Sequence, residues 1–164
     1  MDVEVAEADL TNPDHARGLV EILDCYARDP MGGARPLPQP VRERLVPGLA
    51  AQANALVLLA FARGGPVGAA VCFRGFSTFA ARPLLNIHDL AVLPEFRSLG
   101  IGRALLEAAE ARARQLGCCK LTLEVREDNE RARCLYKSVG FGDFAPGAEP
   151  TPTLFLEKRL EPAA

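Results

Sequence analysis

The stretch Leu90-Ala91-Val92-Leu93-Pro94-Glu95-Phe96-Arg97-Ser98-Leu99-Gly100-Ile101-Gly102-Arg103 runs from an apolar, strand-like segment through a glycine-bearing turn into the start of a helix. Helix starts leave backbone N–H groups unpaired and carry a positive partial charge, so such a turn can wrap a phosphate group closely. Gly100 and Gly102 let the backbone approach, Arg97 adds a fixed positive charge, and Pro94 ends the strand. A P-loop would need Lys and then Ser or Thr after the second glycine, where Arg103 and Ala104 stand. A dinucleotide fingerprint would need a third glycine at the place of Leu105 and a preceding βαβ unit, and neither is present. Taken alone, the segment is better explained by a glycine turn that merely opens a helix.

The neighbouring segments give the turn its context. Downstream, Ile101, Leu105, Ala109, Ala113 and Leu116 recur at helical spacing, and Gly117 supplies the stop. Leu121, Leu123 and Val125 then alternate with polar residues as in a strand with one buried face. Asp128-Asn129 offers the cap of a further helix ending at Gly140, and residues 141–144 and 153–158 are expected to close the sheet as a last hairpin. Upstream, Val3 and Val5 mark a short first strand, and Asn12-Pro13 opens a helix to about Ala27. Residues 28–40 hold four prolines and the pair Gly32-Gly33, a loop that reads either as a substrate lid or as a plain connector before a short helix over residues 41–51. Residues 55–63 and 66–76, joined at Gly64-Gly65, predict an antiparallel hairpin, to which residues 84–93 add a third strand. The order of elements predicts an α/β (α+β) fold, and 164 residues fit one domain over 1–164 with a core of its own.

Composition removes several function classes. The chain is 49% apolar and 24% charged, and no apolar run approaches the roughly 18 residues of a membrane span. The N-terminus, with Asp2 and Glu4, lacks the basic start and apolar stretch of a signal peptide, so no membrane and a cytoplasmic address are expected. Net charge is −2, without a basic cluster interleaved with aromatics, which argues against nucleic acid as a partner. The five cysteines, Cys25, Cys72, Cys118, Cys119 and Cys134, form no C-x-x-C pair; they read as reduced fillers, and no metal is expected.

At Arg97-Ser98-Leu99-Gly100-Ile101-Gly102 the chain resembles the GCN5-related N-acetyltransferase (GNAT) superfamily, whose acetyl-coenzyme A signature is Q/R-x-x-G-x-G/A after an apolar strand. A second family block is matched by Asn129, Ala132, Leu135-Tyr136 and Gly140-Phe141. The resemblance implies a mixed, mostly antiparallel sheet of about six or seven strands flanked by about four helices. It implies acetyl-CoA as co-substrate, its pantetheine arm pairing with strand backbone at Leu90, Ala91 and Val92 and its pyrophosphate resting on the amides of Arg97, Ser98, Leu99, Gly100, Ile101, Gly102 and Arg103. Asn129 and Tyr136, seven residues apart and so on nearly one helix face, would both meet the cofactor. By the same resemblance Tyr136 is the general acid that returns a proton to the departing thiolate, its alternative being a core aromatic with a tethered hydroxyl.

An amine with a pKa near 10 needs a base, and His88 and Asp89 lie on the strand entering the site. Adjacent strand residues point to opposite faces, so only one of the two faces the substrate unless a bulge intervenes, and each is alternatively a structural group. Phe76-Ser77-Thr78-Phe79 and Asn86-Ile87-His88-Asp89-Leu90 are similar to the diamine (spermidine/spermine) acetyltransferase branch, although His88 replaces that branch's Glu. The expected acceptor is a small primary amine, polyamine-like or an amino acid, its pocket drawn from residues 26–40, 73–82 and the tail. A protein N-terminus or lysine is the alternative acceptor, and a non-catalytic coenzyme A sensor the alternative class. Exposed strand edges allow a homodimer.

Overall fold

The computed structural model describes residues 2–142 and 154–160. Its described residues form one five-stranded sheet in the order β1-β2-β3-β4-β5, where β1 is Glu4–Glu7, β2 Ala55–Ala62, β3 Gly65–Ser77, β4 Arg82–Val92 and β5 Leu121–Leu123. The first three pairings are antiparallel and the last, β4 with β5, is parallel. Four α-helices accompany the sheet: α1 (Pro13–Arg28), α2 (Gln39–Ala50), α3 (Ile101–Gln115) and α4 (Glu130–Ser138).

Strand alternation divides the core in two. Leu56, Leu58 and Ala60 of β2, with Ala70 and Cys72 of β3, pack against Ile101, Leu105, Leu106 and Ala109 of α3. The intervening Val57, Leu59, Ala69 and Val71 point to the other face and meet Leu19, Ile22 and Leu23 of α1. Gly68 lets α3 close on the sheet, because a Cβ there would come within 3.0 Å of Ile101 Cγ2 and 3.2 Å of the Ala91 carbonyl oxygen. On the other face Asp24, 7% exposed, accepts from the Leu37 N–H at 2.7 Å and from Arg28 Nε at 3.0 Å, fastening the far end of the 28–40 loop to α1.

Helix ends follow the sequence closely. The Asn12 side chain accepts from the Asp14 N–H at the start of α1, and Gly117, at φ 69°, ends α3. Two strand expectations are corrected. The sheet has five strands among the described residues rather than six or seven; most of the expected closing hairpin lies outside the described residues, and residues 154–160 carry no strand. β5 stops at Leu123 rather than reaching Val125, because its ladder with β4 comprises only Leu85–Leu121, Asn86–Thr122 and Ile87–Leu123. Asn86 Nδ2 braces that short ladder with a 3.0 Å bond to Thr122 Oγ1.

Candidate functional site

Beyond Ile87 the two parallel strands part, and β4 runs on to Val92 with β3 as its remaining strand neighbour. The gap opens into a cleft of about 660 Å³. Leu90, Ala91 and Val92 line one wall, Asn129, Leu135 and Tyr136 of the α4 region the other, and the α3 entry turn closes one end. Tyr26 from the last turn of α1, with Asp29 and Met31 from the α1–α2 connection, completes the lining.

The entry turn has the backbone of an anion cradle. Ser98 and Gly100 both adopt left-handed conformations, at φ 64° and 83°, and such residues in a turn make successive N–H groups converge. Gly100 is the N-cap of α3 and provides no side-chain cap, so the N–H groups of Ile101, Gly102 and Arg103 precede the first intrahelical bond, which is Ala104 N–H to the Gly100 carbonyl. Two details differ from expectation. The Arg97 N–H is used by the Pro94 carbonyl at 3.2 Å, so the free row begins at Ser98. Gly102 answers to packing, since a Cβ there would stand 3.0 Å from Leu135 Cδ2 of α4.

Arg97 lines the cleft, yet its guanidinium is held by protein: Nε donates to the Val92 carbonyl at 3.0 Å and a terminal nitrogen pairs with Asp29 Oδ2 at 3.0 Å. Arg103 reaches Ser138 Oγ at 2.7 Å, and Arg131, a lining residue not singled out in the sequence, donates to Ser98 Oγ at 3.3 Å. Leu99, 52% exposed, and Ile101, 1% exposed in the α3 core, contribute no lining side chain. Asn129 is the N-cap of α4, its side chain accepting from the Ala132 N–H at 3.2 Å.

The β4 register explains how His88 and Asp89 stand together. Val71 pairs with Asp89 while Cys72 pairs with Ile87, so His88 is the extra residue of a β-bulge. Were His88 paired in a regular pleat, Asp89 would follow Leu85 and Ile87 onto the α3 face; bulged out, it leaves Asp89 on the α1 face with Ala91. The His88 ring packs edge-on to Phe73, centroids 5.5 Å apart, and Phe73 belongs to the same α1-side cluster. Neither His88 nor Asp89 is part of the cleft wall itself. Burial pushes the Asp89 carboxyl above its ordinary value, with His88 offsetting part of the rise. Burial also raises Tyr26, assisted by the negative charges of Asp89 and Asp29. Tyr136 is pushed up to about 12, first by burial and then by Tyr26. Tyr136 packs on Phe141 at 5.8 Å and against the α3-side core, and among the described residues its hydroxyl has no hydrogen-bond partner. A phenol that stays protonated and, among the described residues, a row of free N–H groups thus share one cleft, and a carboxyl with raised proton affinity stands within electrostatic reach of Tyr26 in its wall.

Such a splayed α/β sheet, with an N–H-lined turn at the parting of its parallel strands, defines a class of proteins built to hold a phosphate-bearing ligand in the gap. The chain belongs to the acetyltransferase (GNAT) family, whose model matches residues 19–141. It is 33% identical over 88 residues to the uncharacterized N-acetyltransferase YhfO of Bacillus subtilis, covering 54% of this chain and 59% of that one. It is 35% identical over 77 residues to the thialysine N-epsilon-acetyltransferase of Bos taurus, covering 47% and 45%. The chain thus spans about half the length of these curated relatives. Among solved structures, AAC(6')-Iy in complex with the bisubstrate analog CoA-S-monomethyl-acetylneamine superposes with a TM-score of 0.74 at 16% identity, covering 98% of this chain and 100% of that one; the likeness is one of fold. Among the described residues no helix is long and apolar enough to cross a membrane, and no group of three or more His, Cys, Asp or Glu is placed to hold a metal ion.

Proposed function

We propose that the protein transfers the acetyl group of acetyl-coenzyme A to a primary amine of a small molecule. The observation that carries this reading is the cleft between the parted strands, lined by the entry turn, Tyr26 and Tyr136, with the bulge carboxylate outside the wall but near enough to Tyr26 to act on it electrostatically. The N–H groups from Ser98 to Arg103, with Arg103 and Arg131 at the rim, fit a diphosphate; the strand backbone of Leu90, Ala91 and Val92 fits an extended amide-bearing arm; and Asn129 shapes the α4 wall by capping it.

Acetyl-coenzyme A supplies an acetyl thioester, whose aminolysis forms a C–N bond and breaks a C–S bond. Asp89 is the base: its raised proton affinity suits it, directly or through a water, to draw a proton from an amine that is otherwise protonated at neutral pH. His88, set beside it by the bulge, is the second candidate and also tempers the carboxylate electrostatically. Tyr136 donates toward the departing sulfur; with a pKa of about 12 it remains protonated, and the same burial that raises the phenol also raises the basicity of a thiolate leaving there.

The negative charges that act on Tyr26, Asp89 first and then Asp29, favour a cationic acceptor such as a diamine or an amino acid over a neutral one. Incubation with acetyl-coenzyme A and pooled small amines should release free thiol in an acceptor-dependent manner. Release only with peptides bearing a free N-terminus or lysine would replace the small-molecule acceptor by a protein. Tight coenzyme A binding without turnover for any amine would make the protein a sensor. A homodimer through an open sheet edge belongs to the same reading and is decided by sedimentation.

A further inference from the structure

The ion pair between Arg97 and Asp29 joins two parts of the cleft that are far apart in sequence. Both side chains are largely covered, at 28% and 22% exposure, and the pair is 3.0 Å long. Asp29 is the node of the 29–35 segment. Its carboxylate accepts from the Met31 N–H at 2.9 Å, and its carbonyl accepts from the N–H groups of Gly32, Gly33 and Ala34 at 2.8, 3.2 and 3.1 Å. The Arg35 N–H returns to the Ala27 carbonyl at 3.0 Å. Gly32 lies so tightly on the end of α1 that a Cβ would meet the Tyr26 carbonyl oxygen at 2.0 Å, and Ala34 is held at φ 59°. The segment is therefore a folded block, and it presents Asp29 and Met31 to the cleft beside Tyr26.

On the other side of the pair, Arg97 opens the turn whose amides are free from Ser98 onward, and its Nε is fixed on the Val92 carbonyl at the end of β4. The guanidinium is thus a clamp between the strand end, the turn and the block. The Met31 N–H, then Arg97 and at longer range Arg131, hold the Asp29 carboxyl below its ordinary value, so it is an anion at neutral pH. An anion on the cleft wall repels a diphosphate bound at the adjacent turn and keeps Arg97 engaged elsewhere.

We propose that Asp29 is a positioning residue for the cleft wall beside Tyr26: through Arg97 it fixes the 29–35 block against the turn that receives the diphosphate, and its charge weakens coenzyme A binding while it does so. The inference rests on the acetyltransferase reading above. It makes Asp29→Asn a change with two opposite effects, because the amide still accepts from the Met31 N–H but releases Arg97.

The test measures coenzyme A affinity by calorimetry and amide hydrogen exchange of residues 29–35 in the wild type, Asp29→Asn, Asp29→Glu, Arg97→Gln and the double variant. In Asp29→Asn, coenzyme A should bind about threefold more tightly or better, and exchange in the block should quicken by about threefold or more while distant segments keep their protection. Asp29→Glu should restore wild-type affinity and most of the protection. Arg97→Gln should loosen the block as Asp29→Asn does, and the double variant should add little further loosening. With any amine that the pooled screen yields, Asp29→Asn should raise the acceptor KM with kcat nearly kept. Equal or weaker coenzyme A binding in Asp29→Asn, or block exchange unchanged there, would overturn the proposal while leaving acetyl transfer standing. A wild-type protein without coenzyme A affinity would remove the acetyltransferase reading and this inference together.

Discussion

Burial lifts the Asp89 carboxyl above 3.8 in the folded chain, so over the window between 3.8 and that raised value the native state holds a proton that the unfolded state has lost. Stability therefore falls as pH rises through the window, because ionising Asp89 costs more in the folded chain than in the unfolded one. Asp89→Asn should raise the thermal midpoint at pH 7 while slowing turnover. The kcat/KM profile of the wild type should show an acid limb above the ordinary carboxylate range, and this limb should vanish in the variant; a limb that persisted would move the base to another group. Tyr136→Phe should lower kcat by about 10²- to 10⁴-fold with coenzyme A affinity kept. Because Tyr136 is pushed up to about 12, any loss of rate between neutral pH and about pH 10 in the wild type has to come from other groups. The sequence offered His88 and Asp89 as neighbours but not their orientation: nothing in Ile87-His88-Asp89, with neither glycine nor proline, signals a bulge. Tyr26 could be placed only within a broad acceptor stretch, since its partners Asp89 and Tyr136 come from other elements.

At the scale of elements, α1, α3 and α4 were legible because each combines apolar periodicity with local stop or start chemistry, Asn12-Pro13, Gly117 and Asn129. The end of β5 was not, because Val125 fits the alternation and only the parting of β4 removes its partner. Arg97 likewise matched a motif by sequence, while its true partners, Val92 and Asp29, are matters of tertiary placement. Gly100 shows a local requirement in isolation: it sits at φ 83°, and a Cβ would meet nothing within 4 Å. Gly100→Ala should thus cost about 1–2 kcal/mol from the left-handed backbone alone, measured as a shift in the urea midpoint with an unchanged slope.

For the whole molecule, a sheet covered on both faces means two nearly separate apolar clusters bound to one set of strands. Leu105, 0% exposed, anchors the α3 side and Leu19, 0% exposed, the α1 side. Either Leu→Ala change should lower stability by about 2–5 kcal/mol, and because the two share no cluster, their costs should add to within about 0.5 kcal/mol in the double variant. Chemical denaturation checks both, and strong non-additivity would mean that the two faces communicate through the thin Ala69-Ala70 region of β3.

The single extra residue in β4 also sets a limit on how this chain can drift. Because the extra residue already absorbs the offset, excising His88 would leave Asp89 opposite Val71 and every later residue on its present face, whereas losing one residue between Leu90 and Val92 would carry the rest of the strand to the opposite face. A deletion of one is therefore absorbed at the bulge and not beyond it, so length changes among viable descendants should fall in the connecting loops or at this single position and avoid the end of the strand.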